Sequence, residues 1–350
     1  MADKRVLVLG AGIAGITCAL ELANQNIPVY LAEKEKDIGG LVSSFSCKAT
    51  DKCNNCGVCL LNEKIKKMKD LSAVPTAQAD RNNIILLTSC RLQNVEKELN
   101  NFNIKMVQEE KSLSIKAEII VVATGAEVFD ARYKTQFGYK RYKGVITGLD
   151  LEERLRAGSS QISFNGDIPK SIAFIQCVGS RDEKTNKGYC SKVCCKYALR
   201  MADVLQSKIE DLKVTVFYMD LQSTGKDFSS LYERCKEDIE FINSIPAKIE
   251  EEDEKLKVKY ENIESGKIDV KNFDLVVLST GLSPNKENSN LARMLKINRD
   301  EFGFFEAKDS GETNIEGIYT CGTATSPKSI VESISSAKVV AGKIIKKNQK

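Results

Sequence analysis

The chain has 350 residues, 42% of them hydrophobic and 29% charged, with a formal net charge of +4. That length exceeds one ordinary core and predicts two domains, while near-neutral charge with scattered lysines excludes a nucleic-acid-binding protein. The sequence contains no histidine, which excludes a Ser-His-Asp or Cys-His centre and any imidazole metal ligand.

The amino terminus, MADKRVLVLGAGIAG, enters a strand within a few residues and leaves no room for a signal peptide. No apolar run approaches the ~18 residues needed to span a membrane. A cytoplasmic location is expected, and there twelve cysteines point to metal binding or catalysis rather than structural disulfides. Arg5 to Gly10 reads as a buried strand, Gly10-Ala-Gly12-Ile13-Ala14-Gly15 as a G-x-G-x-x-G turn, and Ile16 to Asn24 as the helix behind it. Gly10 permits the tight turn, Gly12 lets backbone approach a pyrophosphate, Gly15 packs helix against strand, and the helix amino terminus favours the phosphate charge. The second strand, Val29 to Ala32, ends at Glu33 and Lys34, and Glu33 stands where an acid would accept hydrogen bonds from ribose hydroxyls. Strand, turn, helix, strand and acid in register predict dinucleotide binding.

After Gly39-Gly40 comes the first cysteine group, SCKATDKCNNCGVC, with Cys47, Cys53, Cys56 and Cys59. C-x2-C-x2-C is the spacing of a ferredoxin half-site, with Cys47 as fourth ligand to a [4Fe-4S] cluster. Zinc is the main alternative, because C-x2-C pairs suit it well. Leu60 to Leu71 reads as a charged helix with a solvated lysine face. Asn83 to Lys116 holds four short β-prone runs, expected to form a small antiparallel sheet. Cys18, Cys90 and Cys235 are read as packing residues.

The strand Glu118 to Val122 leads to Ala123-Thr124-Gly125, and Asp130 to Pro169, with a helix from Leu149 to Ala157, reads as the crossover into a second domain. That domain opens with the strand Ser171 to Gln176, followed by CVGSRDEKTNKGYCSKVCC, in which Cys177, Cys190, Cys194 and Cys195 are spaced C-x12-C-x3-C-C. Four thiolates beyond the carboxyl end of a buried strand suit a second [4Fe-4S] cluster. Structural zinc, disulfides and unligated thiols are the alternatives, and the adjacent Cys194-Cys195 fits a zinc knuckle poorly. No second G-x-G-x-x-G exists, so the cysteines stand in place of a pyridine-nucleotide pyrophosphate site. A helix is expected over Ser191 to Gln206, a strand over Lys213 to Met219, a helix over Ser229 to Asn243, a charged hairpin over Ala247 to Asn272 and a strand over Phe273 to Gly281. A final helix, Ile330 to Lys346, follows Gly317-Ile-Tyr-Thr-Cys321-Gly322-Thr323.

Glu33 followed by the pair Gly39-Gly40, the Ala-Thr-Gly turn at 123–125 and the run from Gly317 to Gly322 resemble the two-dinucleotide-binding-domain flavoproteins. Thr323 stands where that family has aspartate. The resemblance implies an α/β, thioredoxin-reductase-like fold, an FAD Rossmann domain interrupted by a second Rossmann-like domain. It places the first part of the FAD domain at 1–150 with a cysteine-rich insertion at 45–70, the second domain at 151–285 and the return at 286–350. FAD would then meet Gly10, Gly12, Ile13, Ala14, Gly15, Glu33, Lys34, Gly40, Ala123, Thr124, Gly125, Gly322 and Thr323, with Lys328 the candidate by position to face flavin N5. No residue is assigned a catalytic role.

Phe174-Ile-Gln-Cys177-Val-Gly-Ser-Arg181-Asp182, Tyr189-Cys190-Ser-Lys-Val-Cys194-Cys195 and Ser326-Pro-Lys-Ser-Ile-Val-Glu-Ser-Ile together resemble the A-type flavoprotein component of heterodisulfide reductase. Lacking the added ferredoxin domains, the chain is similar to the short form found in the sulfur-oxidising heterodisulfide-reductase-like complex. That likeness implies a flavin-dependent iron-sulfur electron-transfer component that is homodimeric, binds further iron-sulfur subunits and works with cytoplasmic sulfur delivered by lipoate-bearing carrier proteins. The missing ferredoxin domains argue against flavin-based bifurcation. Two other functions remain open: a stand-alone NAD(P)H-dependent disulfide reductase cycling Cys56 and Cys59, and a zinc-stabilised flavin-binding scaffold.

Overall fold

A computed structural model of the chain describes residues 5–72, 83–99, 101–157, 167–222 and 227–349; positions 158–166 of the anticipated crossover and residues 1–4 lie outside the described set. The chain divides into two compact units, one of Met1–Ser43, Gly57–Glu127 and Pro284–Lys350, the other of Ser44–Cys56 and Val128–Ser283. The cysteine-rich stretch 45–70 is therefore divided after Cys56.

The first unit begins with β1 (Val6–Leu9), α1 (Ile13–Ala23) and β2 (Val29–Ala32). All four residues of β1 are buried, as a strand covered on both faces requires. Helix α1 buries ten of its eleven residues, and its Ala, Gly, Thr and Cys side chains are small enough to pack against the sheet and a second helix at once. Next come α2 (Cys59–Ser72) and β3 (Ile84–Leu87). The run at β3 is not part of the antiparallel sheet expected from the sequence: it pairs parallel to β2, Val29 opposite Ile84. Its four apolar residues lack the alternation that marks the three strands after it. Those are β4 (Cys90–Glu98), β5 (Asn101–Gln108) and β6 (Lys111–Ala117), an antiparallel meander that covers Phe102, Ile104 and Met106. Strand β7 (Ile119–Val122) returns to the main sheet beside β1, and β8 (Ala126–Val128) leaves the unit.

In the second unit β9 (Val145–Thr147) leads into α3 (Gly148–Arg156), whose start is set by a capping box: the Thr147 hydroxyl accepts from the Asp150 N–H while the Asp150 carboxylate accepts from the Thr147 N–H. Strand β10 (Ser171–Val178), α4 (Cys194–Gln206), β11 (Lys213–Tyr218), α5 (Phe228–Cys235) and β12 (Ile239–Asn243) follow. The single helix expected over Ser229 to Asn243 is thus a short helix and an edge strand. Ile239 is buried, and β12 pairs parallel to β11. The charged segment expected as a hairpin forms three antiparallel strands, β13 (Lys248–Glu252), β14 (Lys255–Asn262) and β15 (Lys267–Phe273). The third escapes the sequence because most of its side chains face solvent and only Phe273 is fully buried. Strand β16 (Leu275–Thr280) completes a parallel sheet of order β12-β11-β10-β16-β9. One face of that sheet packs Ile172, Phe174 and Val277 against α4, and the other packs Ala173, Ile175 and Leu278 under the meander. Each fully buried aromatic such as Phe174 contributes roughly 1.5–3 kcal/mol through removal from water.

The chain re-enters the first unit through β17 (Leu282–Pro284), α6 (Asn288–Leu295), β18 (Ile318–Thr320) and α7 (Ile330–Asn348). Its sheet has the order β18-β7-β1-β2-β3, all parallel. In each unit the strand order reverses beside the first strand, between β1 and β7 and between β10 and β16, and ligands of open α/β sheets bind beyond the carboxyl ends of strands at such a point.

Candidate functional site

At the switch point of the first unit, Gly10 has φ +101°, and a Cβ on it would lie 2.5 Å from the carbonyl oxygen of Ala123, so strand-to-helix turn and β7 pass too closely for any other residue. A Cβ on Gly15 would sit 1.8 Å from the oxygen of Gly10. Gly12 differs. The nearest atom to a Cβ there is Gly40 Cα at 3.9 Å, so the space over the turn is open. No side chain caps α1, whose first N–H groups are therefore free to meet an anion among the described residues. Gly39 closes one side, its N–H donating to Ala11 O at 2.8 Å, and Gly12 and Gly39 form a parallel bridge.

Buried Glu33 accepts from the N–H of Ala11 at 2.7 Å and of Glu35 at 3.0 Å, which fixes the turn and leaves each carboxylate oxygen further acceptor capacity. Lys34 is paired with Glu287 at 3.2 Å. Beyond β7 the Thr124 hydroxyl is buried with no partner among the described residues, and Gly125 faces the Thr323 hydroxyl, 3.6 Å from where its Cβ would be. Gly322, φ +67°, lies against Ala14, and its N–H donates to the Ser336 hydroxyl. Lys328 donates to the Thr325 and Ser326 hydroxyls at 2.6 Å. Open space over Gly12, uncapped N–H groups and an orphaned hydroxyl fit a bound dinucleotide. The amino terminus of α7 is already capped, by Ser329 and Glu332 in a capping box.

At the switch point of the second unit, β10 breaks register against β16 between Ile175 and Val178, and Cys177 in that irregularity has φ +58°, a left-handed conformation unusual for a residue with a Cβ. Burial pushes the Cys177 thiol up to about 12, and the neighbouring Cys195 and Cys190 push the same way while Arg181 opposes them. Cys194 lies at the first turn of α4 and is raised well above the ordinary thiol range by burial, then by Cys177, Cys195 and Cys190. Cys195 is raised too, chiefly by burial. Cys190 accepts the Lys192 N–H at 3.3 Å.

Charge on any of the four sulfurs is therefore felt at the others. Buried thiols in mutual repulsion persist as thiolates only beside a cation, and this donor set fits a thiophilic metal or cluster. As they stand, Cys194 donates to Thr280 O at 3.8 Å and Cys195 to Asp220 O at 3.9 Å, and among the described residues no three candidate ligands converge on one point. Metal binding therefore entails turning these two side chains from their carbonyls. Arg181, held by Asp220 at 2.5 Å, supplies positive charge at Cys177 and Cys190.

Of the first cysteine group, Cys47 and Cys53 are exposed and Cys56 half-buried in the segment that belongs to the second unit, while Cys59 begins α2 of the first. The segment is anchored by a feature with no motif in the sequence. Lys48 and Glu152, with side chains 3% and 7% exposed, form an ion pair at 2.5 Å, and Glu152 also accepts from the N–H and hydroxyl of Ser46. Cys18, Cys90 and Cys235 are buried, the last two within apolar clusters. Among the described residues, no helix is long and apolar enough to cross a membrane.

A profile of the pyridine nucleotide-disulphide oxidoreductases matches residues 4–338. The chain is 30% identical over 422 aligned residues to the A-type component of the H(2):CoB-CoM heterodisulfide,ferredoxin reductase of Methanothermobacter thermautotrophicus, covering 97% of this chain and 63% of that protein. It is also 30% identical over 431 residues to the A-type iron-sulfur component of the CoB–CoM heterodisulfide reductase of Methanocaldococcus jannaschii, with 98% and 64% covered. It spans, then, somewhat under two thirds of these relatives. In fold it is similar to the thioredoxin reductase of T. acidophilum, with a TM-score of 0.64 at 16% identity covering 99% of this chain and 98% of that one. The Lactococcus lactis thioredoxin reductase gives a TM-score of 0.62 at 19% identity, with 98% of each chain covered.

Proposed function

Because the chain belongs to the pyridine nucleotide-disulphide oxidoreductase family, we propose that it is an FAD- and iron-sulfur-dependent electron-transfer subunit of a heterodisulfide-reductase-like complex. Gly10 to Gly15 and Gly39-Gly40 would hold FAD, with Glu33 available to its ribose and Thr124, Gly125, Gly322, Thr323 and Lys328 available to its flavin. Cys177, Cys190, Cys194 and Cys195 would hold one [4Fe-4S] cluster, and Cys47, Cys53, Cys56 and Cys59 would hold a second. When bound, FAD exchanges electrons in pairs or singly and the clusters accept them one at a time. The protein's own part is to bind and orient: the uncapped N–H groups of α1 would hold the pyrophosphate, Gly12 keeps the space over the turn open, and Arg181 would offset thiolate charge.

The observation that carries this reading is the cysteine quartet at the carboxyl end of β10, the position at which a second dinucleotide would otherwise bind. Similarity to components of heterodisulfide reductases supports further iron-sulfur subunits as partners, and the chain works as a homodimer in cytoplasmic sulfur or disulfide metabolism, with lipoate-bearing carriers reached through the complex. The test is a cofactor census of protein purified without oxygen: FAD, iron, acid-labile sulfide and zinc, with an EPR spectrum after reduction. About one FAD and eight irons per chain agree with the proposal. FAD with neither iron nor sulfide would overturn it and favour a disulfide reductase.

A further inference from the structure

The cysteine loop of the second unit is mounted on the same helix that carries Cys194 and Cys195. Between Cys53 and Cys56 stand Asn54 and Asn55, and both are clamped. Asn54 is buried; its amide donates to Asp203 of α4 at 2.5 Å and to Lys48 O at 2.9 Å, and its oxygen accepts from Arg234 of α5 at 2.6 Å. The Asn55 carbonyl accepts from Arg200 of α4 at 2.7 Å. The Arg200 side chain is buried, steered by a second bond to Asp227 at 2.8 Å, and charge on Cys56 and Cys53 reaches it. Its Nε is a buried donor with no partner among the described residues. A guanidinium so placed holds the loop backbone with one nitrogen and keeps another buried without a partner among the described residues.

We infer that Arg200 is the positioning residue of the Cys53-x2-Cys56 loop and supplies the positive charge that sets the reduction potential of the centre held there. Reducing an iron-sulfur centre adds negative charge, so a fixed guanidinium nearby favours the reduced form and raises the potential. Arg200 lies five residues along α4 from Cys195, about 7.5 Å of helix rise, so one rigid element fixes the loop and presents two ligands of the other quartet. The inference rests on the iron-sulfur reading of both cysteine groups.

The test is an EPR-monitored redox titration of the full chain purified without oxygen, with iron content and the flavin spectrum recorded on the same samples. In Arg200→Gln, one of two centres should shift to a more negative midpoint while the other keeps its own, with eight irons retained. Arg200→Lys, which preserves charge, should stay closer to the wild type. Should Arg200→Gln fail to retain flavin and iron, Asp227→Asn decides with the opposite sign: removing the carboxylate that neutralises Arg200 should raise the same midpoint. Unchanged midpoints in Arg200→Gln or Asp227→Asn, or an equal shift in Arg200→Lys and Arg200→Gln, overturn the inference with the iron-sulfur reading intact. Wild-type protein without iron, or with zinc in place of four irons, overturns both.

Discussion

Two glycines of the first turn should fail in opposite ways when each is replaced by alanine. Gly12 has φ −78°, an ordinary value for an L-residue, and its Cβ would find nothing nearer than 3.9 Å. Gly12→Ala should leave the cofactor-free protein within about 1 kcal/mol of the wild type, since the unfolded chain also loses freedom. The new methyl nevertheless occupies the path of a pyrophosphate toward the α1 N–H groups. A hydrogen bond to a charged group is worth about 1.5–3 kcal/mol, so displacing the phosphate from one donor weakens FAD binding by roughly ten- to a hundredfold. Gly15→Ala places its Cβ 1.8 Å from the Gly10 carbonyl oxygen, a backbone atom that no rotamer change can move aside. Overpacking of this kind costs about 1–3 kcal/mol or more, so the cofactor-free protein itself should melt lower. The assays are circular-dichroism melting of flavin-stripped protein and FAD titration by fluorescence quenching. Unchanged FAD affinity in Gly12→Ala, or wild-type melting in Gly15→Ala, would refute the reasoning.

Cys177→Ser and Cys194→Ser should each lose about four irons per chain, while Cys90→Ala and Cys235→Ala keep all of them; iron assay with EPR checks this, and full iron in Cys194→Ser would count against the quartet. Lys48→Met strands the buried Glu152 carboxylate and should cost about 3–5 kcal/mol in urea unfolding, with Lys48→Met/Glu152→Met recovering most of the loss; equal damage in the double variant would mean that the pair is not the cause. Burial pushes the Cys235 and Cys321 thiols up to about 12 from an ordinary 9.0. The folded chain keeps those protons after the unfolded chain has released them, so their stability is fully present below pH 9 and is lost as pH rises from 9 toward 12. Cofactor-free protein should therefore grow easier to unfold across that window, less steeply in Cys235→Ala, and a flat profile would refute the assignment.

The elements most legible in the sequence are those in which local pattern and tertiary burial agree. β1, α1 and β2 carry their glycines, apolar runs and terminal acid within 30 residues, and local geometry alone requires that order. β12 reads as helix because Glu237 to Asn243 continues the polar spacing of α5, and only pairing with β11 decides that Ile239 to Asn243 is extended. β15 is harder to place for the converse reason: its alternating Ile268 and Val270 are exposed, and only Phe273 is fully buried. Cysteine spacing picks out both metal-site candidates. It is silent on Lys48, Glu152 and Arg200, because a buried ion pair and a guanidinium aimed at a loop carbonyl join residues about a hundred or more positions apart. A solitary charge inside a helix reads as solvated until its partner is known.

The two sheets pose the same geometric problem and solve it with different chemistry. In the first unit α1 starts four residues after β1 ends, so the helix amino terminus faces the switch point directly and an anion can settle on its N–H groups. In the second unit β10 ends at Val178 and α4 starts only at Cys194. The intervening loop carries left-handed residues at Arg181, Asn186 and Lys192, and the helix start is occupied by two of the protein's own sulfurs. Positive potential at that terminus opposes the burial that raises both thiols, as it would favour a phosphate. Among the described residues, the position that topology offers to a second dinucleotide carries the protein's own cysteines rather than a glycine turn of the kind at Gly10 to Gly15. On the proposed function, the four cysteines at the carboxyl end of β10 would hold the group that takes up electrons in place of a bound nicotinamide.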